Sequence, residues 1–261
     1  MTLQRLAIAV FLAFGLSACD APQFQEPNTA GEMFSSAPEM PGPLTELRQA
    51  VSAIEKQDPN PAALEQLSVA MKEFWRRCEM TVGCRDSDGE AMVAHSRQSV
   101  GARAVYAGYW EVWPTLFSKG DSKPLRSIFT REELQHLLEE GLRRPGTNGN
   151  KEMLFALAAE LREGRLVTYS STAEVRLLAL AWAGGEGNAA RQLAIHFEEH
   201  GDLRSAYLWT LRYKGSGESE YSAWQAQGKR QELAAGLSSG ERARVERLAD
   251  NRSIVTVSAG E

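Results

Sequence analysis

The sequence predicts an all-α fold built from paired helices, and three observations predict it. Apolar residues recur at helical spacing from Leu44 almost to the end of the chain. Alternation of β-branched residues, which is typical of strands, is confined to the short segment 254–258. A helical pattern also repeats within residues 146–251, and an internal repeat decides the architecture of a chain.

The first 19 residues have the organisation of a secretory signal. Arg5 supplies the positive charge of the n-region, and an unbroken apolar run follows over residues 6–16. That run is too short to cross a bilayer of about 30 Å. The segment ends in Leu16-Ser17-Ala18-Cys19, which resembles the lipobox of bacterial lipoproteins.

The lipobox resemblance implies that residues 1–18 are removed and that Cys19 becomes an acylated N-terminus. The alternative is an ordinary signal peptide cleaved after Ala18, which leaves Cys19 unmodified. Asp20 resembles a sorting signal for the inner membrane, and the outer membrane stays open as a destination. We therefore expect a bacterial cell-envelope protein, lipid-anchored and facing the periplasm.

Composition excludes some classes of function. The chain has 261 residues and a formal net charge of −5, which becomes −6 once Arg5 is removed with the signal. The chain is mildly acidic, and its positive and negative side chains are interspersed along the sequence. It therefore lacks the basic patch that nucleic-acid binding needs. Residues 19–43 hold five of the ten prolines and are expected to form a flexible tether.

Residues 44–145 are expected to form an N-terminal helical region. Its first helix begins near Leu44, and Pro59 and Pro61 separate that helix from the second. The second helix runs toward Cys78. The apolar residues of this second helix lie three or four positions apart, so they share one face, as in an amphipathic helix.

Cys78 and Cys84 are the only cysteines after Cys19. An envelope location is oxidising, so we expect a local disulfide between them. A metal site is the alternative, but it needs further ligands and no Cys or His follows before His95.

The rest of this region follows the same helical pattern. Residues 85–90 are expected to form a loop, and a long helical stretch follows to about Pro114. Thr130 and Glu133 have the spacing of a capping box, which predicts a helix from there to about Arg144.

Aromatic residues follow helical spacing near the end of that long stretch. We interpret them as a buried stripe, because aromatic side chains gain a large free energy from burial. A stacking surface for sugar rings is the alternative interpretation. The residues concerned are Tyr106, Tyr109, Trp110, Trp113 and Phe117.

The internal repeat lies in the second half of the chain. Segment 157–163 aligns with segment 193–199. Each segment is followed by a predicted helix that contains the pattern Ala-x-x-Trp, whose tryptophan is Trp182 in the first helix and Trp209 in the second. A weaker third unit starts near Leu233, with Ser238-Ser-Gly-Glu241 as its capping box. Six residues are expected to pack between helices: Leu157, Leu161, Trp182, Leu193, Phe197 and Trp209.

These repeats resemble the tetratricopeptide superfamily and, within it, the bacterial SEL-one-like repeats. Three features carry the resemblance: Leu193-Ala194-x-x-Phe197, the turn Gly201-Asp202, and Ala206-x-x-Trp209. The resemblance implies that helical hairpins stack as a short α-solenoid over residues 146–251. It also implies a concave groove that binds proteins or peptides, and it implies no catalysis.

The segment from His196 to His200 matches the H-x-x-E-H pattern of inverse zincins. On one helix face His196 and His200 can reach a single Zn²⁺, with Glu199 placed to act as base. A third ligand is not apparent, and Phe197 occupies the aromatic position of the repeat. We therefore expect no metal, with both histidines beside the core face and their alanine variants nearly unaffected.

Other catalytic signatures are missing from the sequence. It has no glycine-rich phosphate loop, no Gly-x-Ser-x-Gly elbow and no cysteine–histidine pair. We therefore expect no cofactor and no catalysis, but a scaffold or assembly factor of an envelope machine for pili, secretion, conjugation or polysaccharide export. The alternative is an envelope hydrolase, Zn-dependent through His196 and His200 or a carboxylate-based glycosidase acting on peptidoglycan.

The chain is expected to end in a disordered tail over residues 252–261. Its only regular pattern is the β-branched run that begins at Ile254. We interpret that run as frayed because no partner strand is apparent.

Overall fold

A computed structural model describes residues 42–116, 125–163, 170–213 and 220–258, with only the backbone for 220–224. The signal, Cys19, most of the tether and Phe117 lie outside the described residues. The described residues form helices and no strand, which confirms the all-α prediction. The α-helices are α1 (Pro43–Glu55), α2 (Pro61–Cys78), α3 (Asp86–Tyr106), α4 (Arg131–Gly141), α5 (Lys151–Glu163), α6 (Ser171–Ala183), α7 (Gly187–Glu199), α8 (Leu203–Arg212), α9 (Glu220–Ala235) and α10 (Ser239–Leu248).

Helices α1 to α3 pack on one another. The proline-containing turn before α2 is closed by Asn60, whose side chain accepts a hydrogen bond from the backbone N–H of Ala63. Leu67 on α2 is fully buried, and Val51 on α1 is nearly so. Cys78 and Cys84 form a disulfide across the loop that follows α2, with Cα atoms 5.3 Å apart. The predicted disulfide is thereby confirmed.

Two boundaries of the third helix differ from expectation. Residues 86–90 belong to α3 rather than to a loop, because Asp86 and Asp88 favour a first helical turn through the helix dipole. At the other end, α3 stops at Tyr106, where Gly108 adopts a φ of 101° that ends the helix. A short 3₁₀ helix, Trp110–Thr115, then carries the proline that the sequence placed at the helix end.

Helix α4 begins with the expected capping box. The Thr130 hydroxyl accepts from the Glu133 N–H, and a Glu133 carboxylate oxygen accepts from the Thr130 N–H at 2.8 Å. The loop after α4 lies against the end of α6. There Gly146 approaches the Leu180 carbonyl and Gly184 approaches the Thr147 carbonyl so closely that neither glycine has room for a Cβ atom.

Helices α5 to α8 stack in chain order, each packed on the next. The short connection between α7 and α8 contains Gly201 at a φ of 76°, as the Gly201-Asp202 turn predicts. The buried apolar residues in the described part of the chain form one cluster that extends from Leu47 to Val257. Helix α5 also packs on the 3₁₀ helix that follows α3, so the N-terminal region and the repeat region share a core.

Helices α9 and α10 both pack on α8. The capping box at Ser238 and Glu241 begins α10, as expected. Leu233 is buried, but it lies near the end of α9 rather than at the start of a third unit. None of the described helices combines the length and the apolar character needed to span a bilayer.

The structure corrects the expectation of a disordered tail over residues 252–261 for the described part of that tail, residues 252–258. Residues 252–258 have no regular secondary structure, yet Val257 is 4% exposed. Its backbone N–H donates to the Ser205 hydroxyl at 2.8 Å, and the Val255 carbonyl accepts from the Trp209 indole at 2.8 Å. The β-branched run therefore serves to pack against α8 rather than to form a strand.

Candidate functional site

The residues predicted to pack between the repeat helices lie in the core, with one exception. Leu157, Leu161, Leu193 and Trp209 are all at most 1% exposed, and Phe197 is 7% exposed. Trp182 is only partly buried. Its ring meets that of Trp209 edge-on, with ring centroids 5.0 Å apart, so the two tryptophans join α6 to α8.

Arg212, at the end of α8, binds the C-terminal segment. Its guanidinium lies 4.6 Å from the Trp209 ring centroid and 5.1 Å from that of Trp182. Burial lowers the pKa of Arg212. The guanidinium donates hydrogen bonds to the backbone carbonyls of Ala249, Asn251 and Ile254. This arrangement is a structural clamp, since each of the three guanidinium nitrogens donates to a backbone carbonyl of the chain itself.

A buried polar cluster lies between α6 and α7, and it contains Ser171, Glu174 and His196. The Nδ1 of His196 is 3.0 Å from a Glu174 carboxylate oxygen, and its Nε2 is 3.0 Å from the Ser171 hydroxyl. Glu174 is 1% exposed and His196 is 3% exposed. The expectation that His196 lies beside the core face is therefore wrong: its side chain is inside, with a partner at each ring nitrogen.

The partners fix the hydrogen-bonding roles of His196 in its neutral form. A carboxylate only accepts, so Nδ1 carries the proton and donates to Glu174, while Nε2 accepts from Ser171. Burial lowers the pKa of His196, and it outweighs the opposing effect of the Glu174 carboxylate. The neutral ring is thus favoured in the folded protein.

His200 and Glu199, the other two residues of the H-x-x-E-H pattern, have different partners. The His200 ring stacks on that of His196 with centroids 4.3 Å apart, and its Nδ1 is 2.7 Å from the His196 carbonyl oxygen. Glu199 forms an ion pair of 2.6 Å with Arg162 of α5. Within the described residues, no group of three or more His, Cys, Asp or Glu side chains is arranged to bind a metal ion.

The aromatic stripe divides into a buried and an exposed part. Trp110 and Trp113 are buried, and Arg144 covers the ring of Trp110 at 4.4 Å. Tyr106 and Tyr109 are instead 43% and 39% exposed. The interpretation as a buried stripe is therefore right for the two tryptophans and wrong for the two tyrosines.

Side chains on α5, α7 and α9 meet on one surface, which we call the α5–α7–α9 face. Arg162 of α5 donates to Gln192 and to Glu199 of α7. Lys229 of α9 donates to Glu198 of α7 at 2.5 Å. These contacts link α5 to α7 and α7 to α9 across a charged, partly exposed surface.

Sequence reasoning missed Ser171 and Glu174 as partners of His196. Both residues lie in α6, which begins at Ser171, and they are more than 20 positions from His196 along the chain. One signal was available. Glu174 stands three positions before Leu177 on the apolar face of α6, and a carboxylate buried at such a position requires a hydrogen-bonding partner.

Comparison with known proteins adds no family to these observations. Neither protein-family models, nor curated proteins, nor solved structures match this chain.

Proposed function

We propose that this protein is a lipid-anchored scaffold or assembly factor on the periplasmic side of a bacterial envelope, where it serves a pilus, secretion, conjugation or polysaccharide-export machine. Cys19 is its acylated N-terminus, and residues 20–43 separate the folded part from the membrane. The repeat region binds a partner protein or peptide, as its resemblance to SEL-one-like repeats implies.

The α5–α7–α9 face is the observation that supports this proposal best. Stacked helical hairpins present their first helices side by side, and that surface is the usual recognition surface of such repeats. Here the ion pairs Arg162–Glu199 and Lys229–Glu198 lie along it, and their side chains are all at least 31% exposed. Exposed ion pairs contribute little to stability, so these charges are available to a partner.

Photo-crosslinking in native membranes tests the partner. A crosslinkable amino acid at Glu199 should give a discrete adduct with an envelope protein. The same amino acid at Glu132, an exposed acidic position on α4, should give none. A charge-reversed Glu198→Lys variant should lose the adduct while melting normally. Equal adducts from both positions, or none from Glu199, would contradict the proposal.

Mass spectrometry of the mature N-terminus tests the anchor separately. We expect a peptide that begins at Cys19 and carries acyl chains. A mature protein with an unmodified Cys19 would show instead that the segment is an ordinary signal peptide. That result would contradict the lipid anchor. The binding of a partner would still be tested by the crosslinking experiment.

A hydrolase is the second candidate function, favoured by the order of contacts Ser171–His196–Glu174. In a serine hydrolase a carboxylate orients a histidine, which takes the proton of a serine hydroxyl as that oxygen adds to an acyl carbonyl. The histidine then returns the proton to the leaving group. Both contact distances here are 3.0 Å, within the range that this chemistry uses.

Labelling with a fluorophosphonate probe tests the hydrolase candidate. The probe should modify Ser171 in the wild type. It should also modify Ser171 in the control variant Thr172→Ala, which removes the exposed hydroxyl of the neighbouring residue. It should not modify Ser171→Ala. Failure of the folded wild type to react would exclude the serine-hydrolase candidate and leave the scaffold proposal untouched.

A further inference from the structure

A cleft of about 550 Å³ is lined partly by α3, and none of its lining residues belongs to the α5–α7–α9 face. One wall is a stripe of α3 at helical spacing that includes Gln98, Ser99, Arg103 and Tyr106. Ala102 lies within this stripe, and its short side chain leaves room. The volume is in the range of sites for small ligands.

The opposite wall comes from other parts of the chain. Ser127, Ile128 and Phe129 lie just before α4, and Glu133 lies in its first turn. Pro59, in the turn before α2, also lines the cleft. Helices that pack through the shared core thus fix the shape of the cleft without a ligand.

Arg103 brings a guanidinium to this cleft, and its side chain has no partner among the described residues. Its Nε atom is buried and lacks a hydrogen bond, and its guanidinium forms no ion pair there. Glu133, the acidic group of the lining, is engaged in the capping box through its bond from the Thr130 N–H. A buried donor without an acceptor costs free energy, so an acceptor supplied by a ligand would be favoured.

The rest of the lining suits a sugar ring. Tyr106 is 43% exposed, and its ring is set against that of His136 of α4 with centroids 5.3 Å apart. An aromatic ring that is fixed in place yet exposed offers a flat surface for stacking. Gln98 and Ser99 bring an amide and a hydroxyl group that donate and accept, as sugar hydroxyls require.

We propose that this cleft binds a carboxylate-bearing sugar. Arg103 pairs with the carboxylate, since a guanidinium presents parallel N–H donors to two carboxylate oxygens. Tyr106 stacks on the ring, and the neutral polar side chains of α3 bind the hydroxyl groups. The site is distinct from the partner-binding face and does not depend on it.

Calorimetric titration of the folded, signal-free protein with matched sugars tests this proposal. The acidic probes are N-acetylmuramic acid, glucuronic acid and galacturonic acid. Their counterparts without a carboxylate are N-acetylglucosamine, glucose and galactose. At least one acid should bind saturably, and about tenfold or more tighter than its neutral counterpart, as expected for a charge-assisted hydrogen bond.

Two variants on the same helix separate binding from folding. Arg103→Gln should lower the affinity for the acidic sugar by about tenfold or more and leave the melting temperature unchanged. Arg97→Gln is the matched control, because the Arg97 Nε is also buried without a partner but the residue does not line the cleft. It should bind as the wild type does.

Three results would overturn the proposal. One is that none of the acids binds the wild-type protein. Another is that acids and neutral sugars bind equally. The last is that a folded Arg103→Gln variant keeps the wild-type affinity. The first two need no variant, so the test stands even if a substitution impairs folding.

Discussion

His196 is the single side chain on which the contact between α6 and α7 depends most. Replacing it with alanine would leave the Glu174 carboxylate buried without a hydrogen-bond donor and the Ser171 hydroxyl without its acceptor. We expect His196→Ala to lower the free energy of unfolding by roughly 3 kcal/mol. Chemical denaturation would measure the change.

His200→Ala is the matched control for that prediction. His200 is exposed, and it contacts His196 only by ring stacking and by a hydrogen bond to a backbone carbonyl. We expect less than about 0.5 kcal/mol of destabilisation, as for other surface substitutions. Similar effects of the two substitutions would show that the His196–Glu174 contact does not contribute as described.

The lowered pKa of His196 also predicts a dependence of stability on pH. An unfolded histidine titrates near pH 6.5, whereas the folded ring, surrounded by Glu174, His200 and Arg162, takes up its proton only at lower pH. The unfolded chain therefore binds more protons in this window, so the free energy of unfolding falls as the pH drops below about 6.5.

Comparison of the wild type with His196→Gln isolates this pH effect. Glutamine keeps a polar side chain but does not titrate, so its stability should fall less between pH 7 and pH 5. Denaturation curves at several pH values give both slopes. Parallel slopes would show that His196 is not the source of the pH dependence.

Among the elements, the C-terminal segment most clearly acts through its contacts rather than through regular structure. It supplies Val257 to the core and backbone carbonyls to Trp209 and Arg212. We expect Val257→Asp to destabilise the protein by roughly 2–4 kcal/mol, because it buries a charge beside α8. Thermal melting would measure it.

Ser258→Asp, one residue further on, is the control for that substitution. Its side chain is exposed, so the added charge stays in water and the melting temperature should not change. Equal, small effects at both positions would mean that the segment detaches readily from α8.

The disulfide contributes through the loop that it closes after α2. A sequence separation of six residues gives about 2 kcal/mol in the chain-entropy treatment. Cys84→Ser should therefore lower stability by about that amount without loss of the helical circular-dichroism signal. Reduction of the wild type should have the same effect, and a much larger loss would show that the loop organises the neighbouring helices.

The sequence predicted elements well where a signal was local, and less well where it depended on distant residues. Both capping boxes form because each involves residues only three positions apart. The packing of segment 252–258 was missed because its partners, Ser205 and Trp209, are about 50 positions away. The polar cluster was missed for the same reason, since Ser171 and His196 come from different helices.

The helical part of the chain should unfold as one unit, because the buried residues that the structure describes form a single cluster that joins the N-terminal helices to the repeats. Leu67→Ala on α2 and Trp209→Ala on α8 should each cost roughly 3–5 kcal/mol. Each should lower one and the same thermal transition, by roughly 6–20 °C. Trp182→Ala should cost less than Trp209→Ala, since Trp182 is only partly buried.

Two separate transitions would contradict this prediction, particularly if Trp209→Ala moved only one of them. Calorimetry distinguishes the cases directly. Periodicity alone predicted helices on both sides of residue 145, but it had no means to show that α5 packs on the 3₁₀ helix after α3. A shared core depends on which helix faces pack on one another, and the periodicity of a single helix does not show its packing partner.

The contact between Gly146 and Gly184 has a consequence for how this protein tolerates change. Both glycines are partly accessible to solvent, and neither has a positive φ, so burial and backbone conformation would each class them as replaceable. Yet a methyl group at either position would collide with a carbonyl oxygen of the other segment. In a saturation library, these two surface sites should therefore be as intolerant as the deepest leucines. The library would show at these two positions a constraint that solvent accessibility alone does not reveal.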